Sequence, residues 1–460
     1  MNEQEHQQQY DRMTKTPIPR LITTLAVPTM ISMIVTAIYN MADTFFVSQL
    51  GTSAAGAVGI VFSLMALIQA VGFTLGMGSG AYISRLLGQQ NYEKANEVSS
   101  TGFFTALFFG VFLSVVGLLF LDPIMGLLGA TPTILPFARD YAKYILFGAP
   151  VMCSSFVMNN LLRSEGKASL AMIGIASGGV INIILDPIFI FVFDLGISGA
   201  AIATLISQCI SFCILLSQFL RGKSILKLQL RRMARTAETY GTILRTGFPS
   251  FCRQGLASLA TVALNVSAAV YGDAAVAAMS IVGKIFMIVI SVMIGFGQGF
   301  QPVCGYNYGS RQYRRVKSAI VFSMKTGVVL MMILCVLGLI FAPQLMALFR
   351  REDAEVISIG ARAIRAQCVA LPLFPIVTIS NMTFQVLGRS GKATLISAGR
   401  QGIFFLPLIA VLPQLFGIGG VVWTQALADV LTFILCVPFL VPFFRELNGW
   451  IAQEEGVRAQ

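Results

Sequence analysis

The chain has 460 residues, of which 56% are hydrophobic and only 11% are charged, and its formal net charge is +12. This composition excludes an ordinary soluble domain, in which about a quarter of the residues are charged. The only His is His6, and the eight Cys lie in apolar segments without the spacing of metal ligands. We therefore expect neither imidazole or metal chemistry nor a disulfide framework, and no resident cofactor.

Twelve apolar segments follow one another along the chain, most of them longer than the roughly 20 residues needed to cross a membrane. We place them, as spans one to twelve, at residues 21–48, 54–84, 98–120, 138–161, 169–193, 197–220, 243–270, 274–304, 318–342, 358–387, 393–415 and 418–444. The sequence therefore predicts an all-α polytopic membrane protein with twelve transmembrane helices.

The basic residues are divided unevenly between the two predicted sides of the membrane. With both termini inside, 23 of the 32 Lys and Arg lie on the cytoplasmic side, where such residues accumulate, and seven of them fall within 221–245. Six are assigned to the outer side: Arg139, Lys143, Arg350, Arg351, Arg362 and Arg365. We expect a multi-pass protein of the cell inner (plasma) membrane, surrounded by the lipid bilayer. Membrane topology explains the net charge, so we expect no nucleic-acid partner.

A shift of 221 residues aligns the two halves of the chain. It places "LGTSAAGAVGI" at 50–60 over "YGDAAVAAMSI" at 271–281, and it pairs Pro28 with Pro249 and Gly88 with Gly309. Each half holds six spans, and an even number of crossings returns the chain to its starting side. The two repeats are therefore parallel, and transporters of this design place their substrate between the halves.

This duplication predicts five regions and a mechanism of alternating access, in which one bundle rocks against the other. A rigid scaffold or a passive channel is the alternative. The regions are a cytoplasmic tail at 1–20, an N-lobe at 21–220, a basic linker at 221–242, a C-lobe at 243–444 and a cytoplasmic tail at 445–460.

Acidic residues inside the apolar spans are functional candidates, because a charge at mid-membrane is costly. Asp43 lies in the outer half of span one, and Tyr39 and Asn40 share its helical face. Asp186 lies at comparable depth in span five. Asp194, near the outer end of span five, reads as a solvated loop residue.

The surroundings of Asp186 suggest a cation site. Asn182 precedes it by one turn on the same face, and Pro187 directly follows it. Because Pro lacks a backbone donor and crowds the preceding turn, the helix should bend and free a carbonyl oxygen. Such hard oxygen ligands suit a small hard cation or a proton. Alternatively, Asp186 caps a broken helix or stays protonated as a hydrogen-bonding group of the core.

Asp429 in span twelve falls opposite Gln208 of the first half at the 221 shift. A buried acid there would pair with Lys284 or Arg253, which offsets the cost of burying both charges. Alternatively it faces the central cavity and attracts cations. Lys284 itself is either a counter-ion within the lobe or a competitor of the transported cation.

The duplicated spans, together with "NMADTFFVSQLG", "GQQNYEKA", "NNLLRSEGKA", "NIILDPIFIF" and "GISGAAIATLISQ", resemble the multidrug and toxic compound extrusion (MATE) family over about residues 15–445. The likeness is to its bacterial, MepA-like or NorM-like members. It implies two V-shaped six-helix lobes and an antiporter that expels cationic, lipophilic drugs in exchange for Na⁺ or H⁺. We expect a monomer.

The resemblance also implies a site for the coupling ion in the N-lobe. The family's motif positions correspond to Asp43, Asn182, Asp186 and Thr204, which would be the ligands if the ion is Na⁺, with the carbonyl of Ala200 as a further ligand. The residues do not decide between Na⁺ and H⁺.

The C-lobe departs from the family pattern, in which some members carry acids on helices seven and ten. Here span seven has Arg253 and no acid, and span ten offers Asn381 and Gln385 as substrate or network residues, so we expect the coupling site in the N-lobe and not in the C-lobe. A rival function is a flippase for a lipid-linked precursor of the same superfamily, which needs basic residues in its cavity. A membrane aspartyl protease would need motifs that are missing from this sequence, so we expect no enzyme.

Overall fold

The structure is a computed structural model, and it describes residues 3–349 and 353–458, where all regular structure is helical. The expected outer residues Arg350 and Arg351 lie outside the described residues. The first half contains α1 (Glu3–Lys15), α2 (Ile18–Ser48), α3 (Thr52–Gly88), α4 (Tyr92–Leu119), α5 (Leu121–Leu127), α6 (Leu135–Ser164), α7 (Ala168–Pro187) and α8 (Gly196–Leu220). The second half contains α9 (Ala237–Ala269), α10 (Asp273–Gly309), α11 (Tyr313–Phe349), α12 (Ala354–Ala370), α13 (Phe374–Val386), α14 (Ser390–Ala398), α15 (Phe405–Phe416) and α16 (Ile418–Arg458).

The predicted twelve-helix fold is confirmed. Eleven segments of the described chain are long and apolar enough to cross a membrane, with α12 joined to α13 as span ten and α14 joined to α15 as span eleven. The twelfth is α9, which has 33 residues but carries Arg245 and Arg253 and is therefore less apolar. The helices overrun the predicted spans, as α16 does by reaching Arg458. Hydropathy marks only the part of a helix inside the hydrocarbon layer.

The turn between the first two spans of each half has the same backbone geometry in both repeats. Gly51 precedes α3 with φ +114°, and Gly272, its counterpart at the 221 shift, precedes α10 with φ +96°. A side chain at such a φ would be strained, whereas Gly adopts it freely. The repeat is therefore kept in local geometry as well as in sequence.

The two halves of the protein contact each other at two glycines, Gly88 and Gly309, which occupy equivalent positions at the 221-residue shift. A Cβ on Gly88 would lie 2.2 Å from the carbonyl oxygen of Tyr306, and a Cβ on Gly309 would lie 2.1 Å from that of Arg85. Gly309 is the counterpart of Gly88, and Tyr306 is the counterpart of Arg85. The contact is thus reciprocal, which confirms two parallel repeats related by an approximate twofold axis along the helices.

Further close contacts between the halves lie on the side of the bundle that carries residues 221–236, which we call the linker side. A Cβ on Gly247 of α9 would lie 1.9 Å from the carbonyl oxygen of Thr74. Thr29 donates a hydrogen bond from Oγ1 to the carbonyl oxygen of Gly295 at 2.7 Å. We call these contacts and the Gly88 and Gly309 contacts the seal.

Toward the side opposite the linker, the same helices are not held together by such close contacts. Three glycines there face open space, with no atom within 4 Å of the position that a Cβ would occupy: Gly59, Gly255 and Gly283. All hydrogen bonds between the two halves given by the described residues also fall on the linker side. The bundle is therefore sealed on the linker side, and we call the opposite side the open side.

The amino-terminal helix α1 lies across the linker side and contacts both halves. Gln9 donates from Nε2 to the carbonyl oxygen of Glu165 in the first half, at 2.5 Å. Asn307 of the second half donates from Nδ2 to the carbonyl oxygen of Met13 at 3.2 Å, and the Met13 side chain is fully buried. The predicted polar tail therefore contains a docked helix that reinforces the seal.

The linker is held against the first half. Buried Glu165 accepts hydrogen bonds from the Ser224 hydroxyl and from the backbone N–H of Ile225, the latter at 2.7 Å. Asn96 accepts another from the backbone N–H of Lys227 at 2.7 Å. These bonds satisfy an otherwise costly buried carboxyl, and they make the linker part of the first half up to the start of α9.

Candidate functional site

Three helices of the first half, α2, α7 and α8, approach closely because α7 presents glycines to both neighbours. A Cβ on Gly179 would lie 2.8 Å from Val35 Cγ1 of α2, and a Cβ on Gly178 would lie 2.9 Å from Ser211 Cβ of α8. Small residues let helices in membranes approach each other at backbone distance. Polar side chains one or two turns further along these helices are thereby brought together.

The backbone leaves α-helical geometry after Pro187, the residue at which the sequence predicts a bend. The α-helix ends at Pro187, and Ile188–Val192 continue as a single π-helical turn. Pro187 cannot donate the backbone hydrogen bond that the carbonyl oxygen of Ile183 would accept in a regular helix. Turns of this type occur often at functional sites.

Asn182 links α7 to α8. Its Nδ2 donates to Asp186 Oδ1 at 3.1 Å and to Thr204 Oγ1 of α8 at 3.3 Å. All three side chains are buried, with exposures of 2% for Asn182, 0% for Asp186 and 3% for Thr204. The structure thus places together three of the four residues that the resemblance implies. Ala200, also buried, lies one turn before Thr204.

Asp43 enters the same cluster from α2. Its Oδ2 accepts a hydrogen bond from the hydroxyl of Tyr141 of α6 at 3.1 Å, and both residues are buried. Tyr141 also lies near Asp186, and the carboxyl of Asp186 lies near that of Asp43. Sequence reasoning missed Tyr141, since nothing in span four distinguishes it from an interfacial Tyr.

Three buried oxygens of the cluster have no hydrogen-bond partner: Asp43 Oδ1, Asn182 Oδ1 and Asp186 Oδ2. The amide oxygen of Asn182 can only accept a hydrogen bond, and so can each carboxylate oxygen unless its carboxyl is protonated. Unpartnered buried acceptors are costly, and each one in a native structure requires an explanation. Two carboxylate oxygens and one amide oxygen form a donor set that suits a small hard cation. We call Asp43, Tyr141, Asn182, Asp186 and Thr204 the candidate cation site.

Of the remaining predicted residues of the first half, Tyr39 and Gln208 lie next to this site. Tyr39 is buried near Asp43 and Asp186, and its hydroxyl lies beside Gln208. The amide of Asn40 donates to the carbonyl oxygen of Thr36 of its own helix at 2.9 Å. Asp194 is exposed, as expected for a loop residue.

The predicted partners of Asp429 were wrong. Its carboxylate is bound by Arg400, with Nε 2.7 Å from Oδ1, and it accepts a second hydrogen bond from Gln425 at 2.9 Å. Arg400 follows α14 in a π-helical turn, Gly399–Ile403. Nothing in the sequence predicts that this residue contacts span twelve. Lys284 is exposed and Arg253 is half-buried, and neither pairs with a carboxylate of the described chain.

Replacing Asp429 with Asn should destabilise the protein without disabling transport. Arg400 would remain in a largely buried position without its counter-ion, at a cost of about 2 kcal/mol. We expect a lower melting temperature for Asp429→Asn in detergent. The double variant Arg400→Gln/Asp429→Asn should recover part of the lost melting temperature, and its export per folded molecule should equal that of the parent. Loss of export in Asp429→Asn at an unchanged melting temperature would instead assign the acid to substrate or ion.

Asn381 and Gln385, the polar residues of span ten, belong to hydrogen-bond networks on the linker side. Asn381 donates to the carbonyl oxygen of Ala393 at 2.6 Å, just as Asn159 of the first half donates to that of Ala171 at 3.1 Å. Both bonds close the turn between two spans. Gln385 donates to the Ser250 hydroxyl and the Thr246 carbonyl oxygen of α9, each at 2.9 Å.

A family model described as MatE matches the chain twice, over residues 28–188 and 249–411. The two matches begin 221 residues apart, which is the shift found between the halves. The multidrug export protein MepA of Staphylococcus saprophyticus is 31% identical over 407 residues, which cover 88% of this chain and 90% of that protein.

Two solved structures are similar over nearly the whole chain. A MATE in complex with MaL6 has a TM-score of 0.89 at 27% identity and covers 96% of this chain and 99% of its own. An outward-facing multidrug resistance MATE family transporter of the MOP superfamily has a TM-score of 0.89 at 28% identity and covers 96% of this chain and 98% of its own.

Proposed function

This chain belongs to the MatE family, and on that premise we propose that it is a multidrug efflux transporter driven by an inward gradient of Na⁺ or H⁺. The observation that carries the proposal is the group of three unpartnered oxygens from Asp43, Asn182 and Asp186. The curated relative from Staphylococcus saprophyticus is a multidrug export protein. Lipophilic organic cations are the proposed cargo.

The coupling ion would bind between the two acids. Two carboxylates in one buried cluster repel each other, and the low local dielectric strengthens this repulsion. A proton on one carboxyl, or Na⁺ bound by the three free oxygens with the Thr204 hydroxyl, would remove it. Tyr141 would hold Asp43 in place through its 3.1 Å hydrogen bond.

The positions of the basic residues favour a cytoplasmic location for the linker side. The sealed linker side then corresponds to a protein open to the outside, in the plasma membrane and with both termini inside. The likeness to the outward-facing transporter supports this orientation. An ion entering from outside would reach a site on α2, α7 and α8, and its binding would favour one of the two lobe arrangements. We propose a monomer as the functional unit.

The unpaired bases of the second half favour one rival function. Lys284 is exposed and Arg253 is half-buried, and neither has a carboxylate partner among the described residues. An anionic headgroup, such as the pyrophosphate of a lipid-linked precursor, would be attracted to them. The acid pair of the first half opposes this assignment, because a cluster of unpartnered oxygens selects a cation.

Transport by purified protein in liposomes tests the proposal. Ethidium, a lipophilic cation, should move uphill when a Na⁺ or proton gradient is imposed and stop when an ionophore dissipates it. Varying Na⁺ at fixed pH, and then pH at fixed Na⁺, identifies the coupling ion. If ethidium only equilibrates down its own gradient, the protein is a channel, and if only an anionic lipid precursor moves, it is a flippase.

A further inference from the structure

A groove of about 350 Å³ opens on the surface of the second half between α11, α12 and α16. Its apolar wall includes side chains that are themselves exposed, and exposed apolar side chains in a membrane-spanning helix face lipid tails. The wall comprises Leu339, Val369, Val422 and Trp423. Two arginines, Arg362 and Arg365, complete the lining.

The arginines and Trp423 lie in the part of the groove nearest the open-side ends of α12 and α16. Helix α12 begins on that side at Ala354, and at 1.5 Å per residue Arg362 lies about 12 Å and Arg365 about 16 Å along it. Arg side chains of this length extend toward the interface while their stems remain among apolar groups. Trp423, close to the start of α16, belongs to the residue type that marks this interface.

Both guanidinium groups have unused donors. Arg362 donates from Nε to the carbonyl oxygen of Ser358 at 3.4 Å, and Arg365 donates from Nε to that of Leu339 at 3.3 Å. Neither pairs with a carboxylate in the described ranges. Because each guanidinium has five N–H donors, their terminal NH₂ groups are available to a ligand. Three residues apart, the two side chains share one face of α12.

We propose that this groove binds an anionic phospholipid, with the phosphate held by Arg362 and Arg365. Arg binds phosphate oxygens through paired, charge-assisted hydrogen bonds. An acyl chain would lie against Leu339, Val369 and Val422, and Trp423 would contact the glycerol region. A free phosphate would leave this apolar wall unused, and a zwitterionic lipid would bring its own positive charge to the two arginines. The site is independent of the substrate that the protein carries.

Binding of phosphatidylglycerol and phosphatidylcholine to delipidated protein, measured by native mass spectrometry, tests this proposal. The parent should prefer phosphatidylglycerol by about tenfold, which corresponds to about 1.4 kcal/mol. The variant Arg362→Gln/Arg365→Gln should lose this preference. Phosphatidylglycerol should also raise the melting temperature of the parent and not that of the variant.

The matched control is Arg139→Gln/Lys143→Gln, which removes two positive charges from the same side in the first half. These residues pair with Asp122 and Asp140, so the control should keep the full preference. Equal preference in parent and Arg362→Gln/Arg365→Gln would overturn the proposal, provided that the variant elutes as a folded species. Competition by inorganic phosphate as effective as that by phosphatidylglycerol would assign a free-anion site instead.

Discussion

Asp43→Asn and Asp186→Asn should each abolish uphill export of ethidium, with the protein still folded and inserted. Either change leaves one carboxyl in the candidate cation site, which removes the repulsion that a bound cation relieves. We expect initial rates to fall about a hundredfold, to the level of passive leak, and the double variant to be no slower than either single variant, because residues that act as one unit are not additive. Fluorimetric efflux from cells that lack other pumps measures this.

Asp194→Asn is the matched control for this experiment. Asp194 lies eight residues after Asp186 but is exposed and has no part in the cluster, so its variant should export at the rate of the parent. If Asp43→Asn and Asp186→Asn also export at that rate, the assignment of the cation site is wrong. If all three variants fail at equal expression, the loss reflects a general sensitivity of α7 and α2.

Gly247→Ala should also abolish export, by preventing closure of the linker side. The added Cβ would lie 1.9 Å from the carbonyl oxygen of Thr74, a separation that would force the backbones of α9 and α3 apart by more than an ångström. Because the atoms that a Cβ on Gly247 would meet are backbone atoms of Thr74, no side chain can rotate away to relieve this clash. We expect at least a tenfold lower rate and, for a Cys introduced at Thr246, faster labelling by a thiol reagent added from the linker side.

Gly255→Ala, on the same helix, provides the control for Gly247→Ala. No atom lies within 4 Å of the position that its Cβ would occupy, so the same methyl group should leave export unchanged. Normal export by Gly247→Ala would show that the halves tolerate a wider spacing on the linker side. The seal would then not be required for the cycle.

The fold was predictable because the hydropathy of each segment and the internal repeat can both be read directly from the sequence. Twelve apolar segments predicted twelve helices, and the repeat with six spans in each half predicted the parallel arrangement. Helix ends were less predictable, since α16 continues past the apolar segment to Arg458. The docking of α1 was not predictable, because its polar sequence shows no sign of the contacts that bury Met13.

The candidate site was predictable only in part. Asp43 and Asp186 were identified by their cost in a membrane, and Thr204 by resemblance alone. Tyr141 is 98 residues away from Asp43 in the chain, and Arg400 is 29 residues away from Asp429. Neither contact lies at helical spacing, so no periodicity predicts it. Asn381 was named only as a substrate or network residue, because a polar residue in an apolar span looks the same in sequence whether it closes a turn, as here, or contacts a ligand.

The reciprocal contact of Gly88 and Gly309 bears on how the two halves of a duplicated gene diverge. At that contact each copy is the template for the other, so a larger residue in one copy is rejected by the unchanged backbone of its twin. Positions that do not touch the other copy are free of this steric constraint. At the 221 shift Asp43 corresponds to Leu264 and Ser32 corresponds to Arg253, so one copy could keep an acid that the other lacks, and the other could gain an arginine.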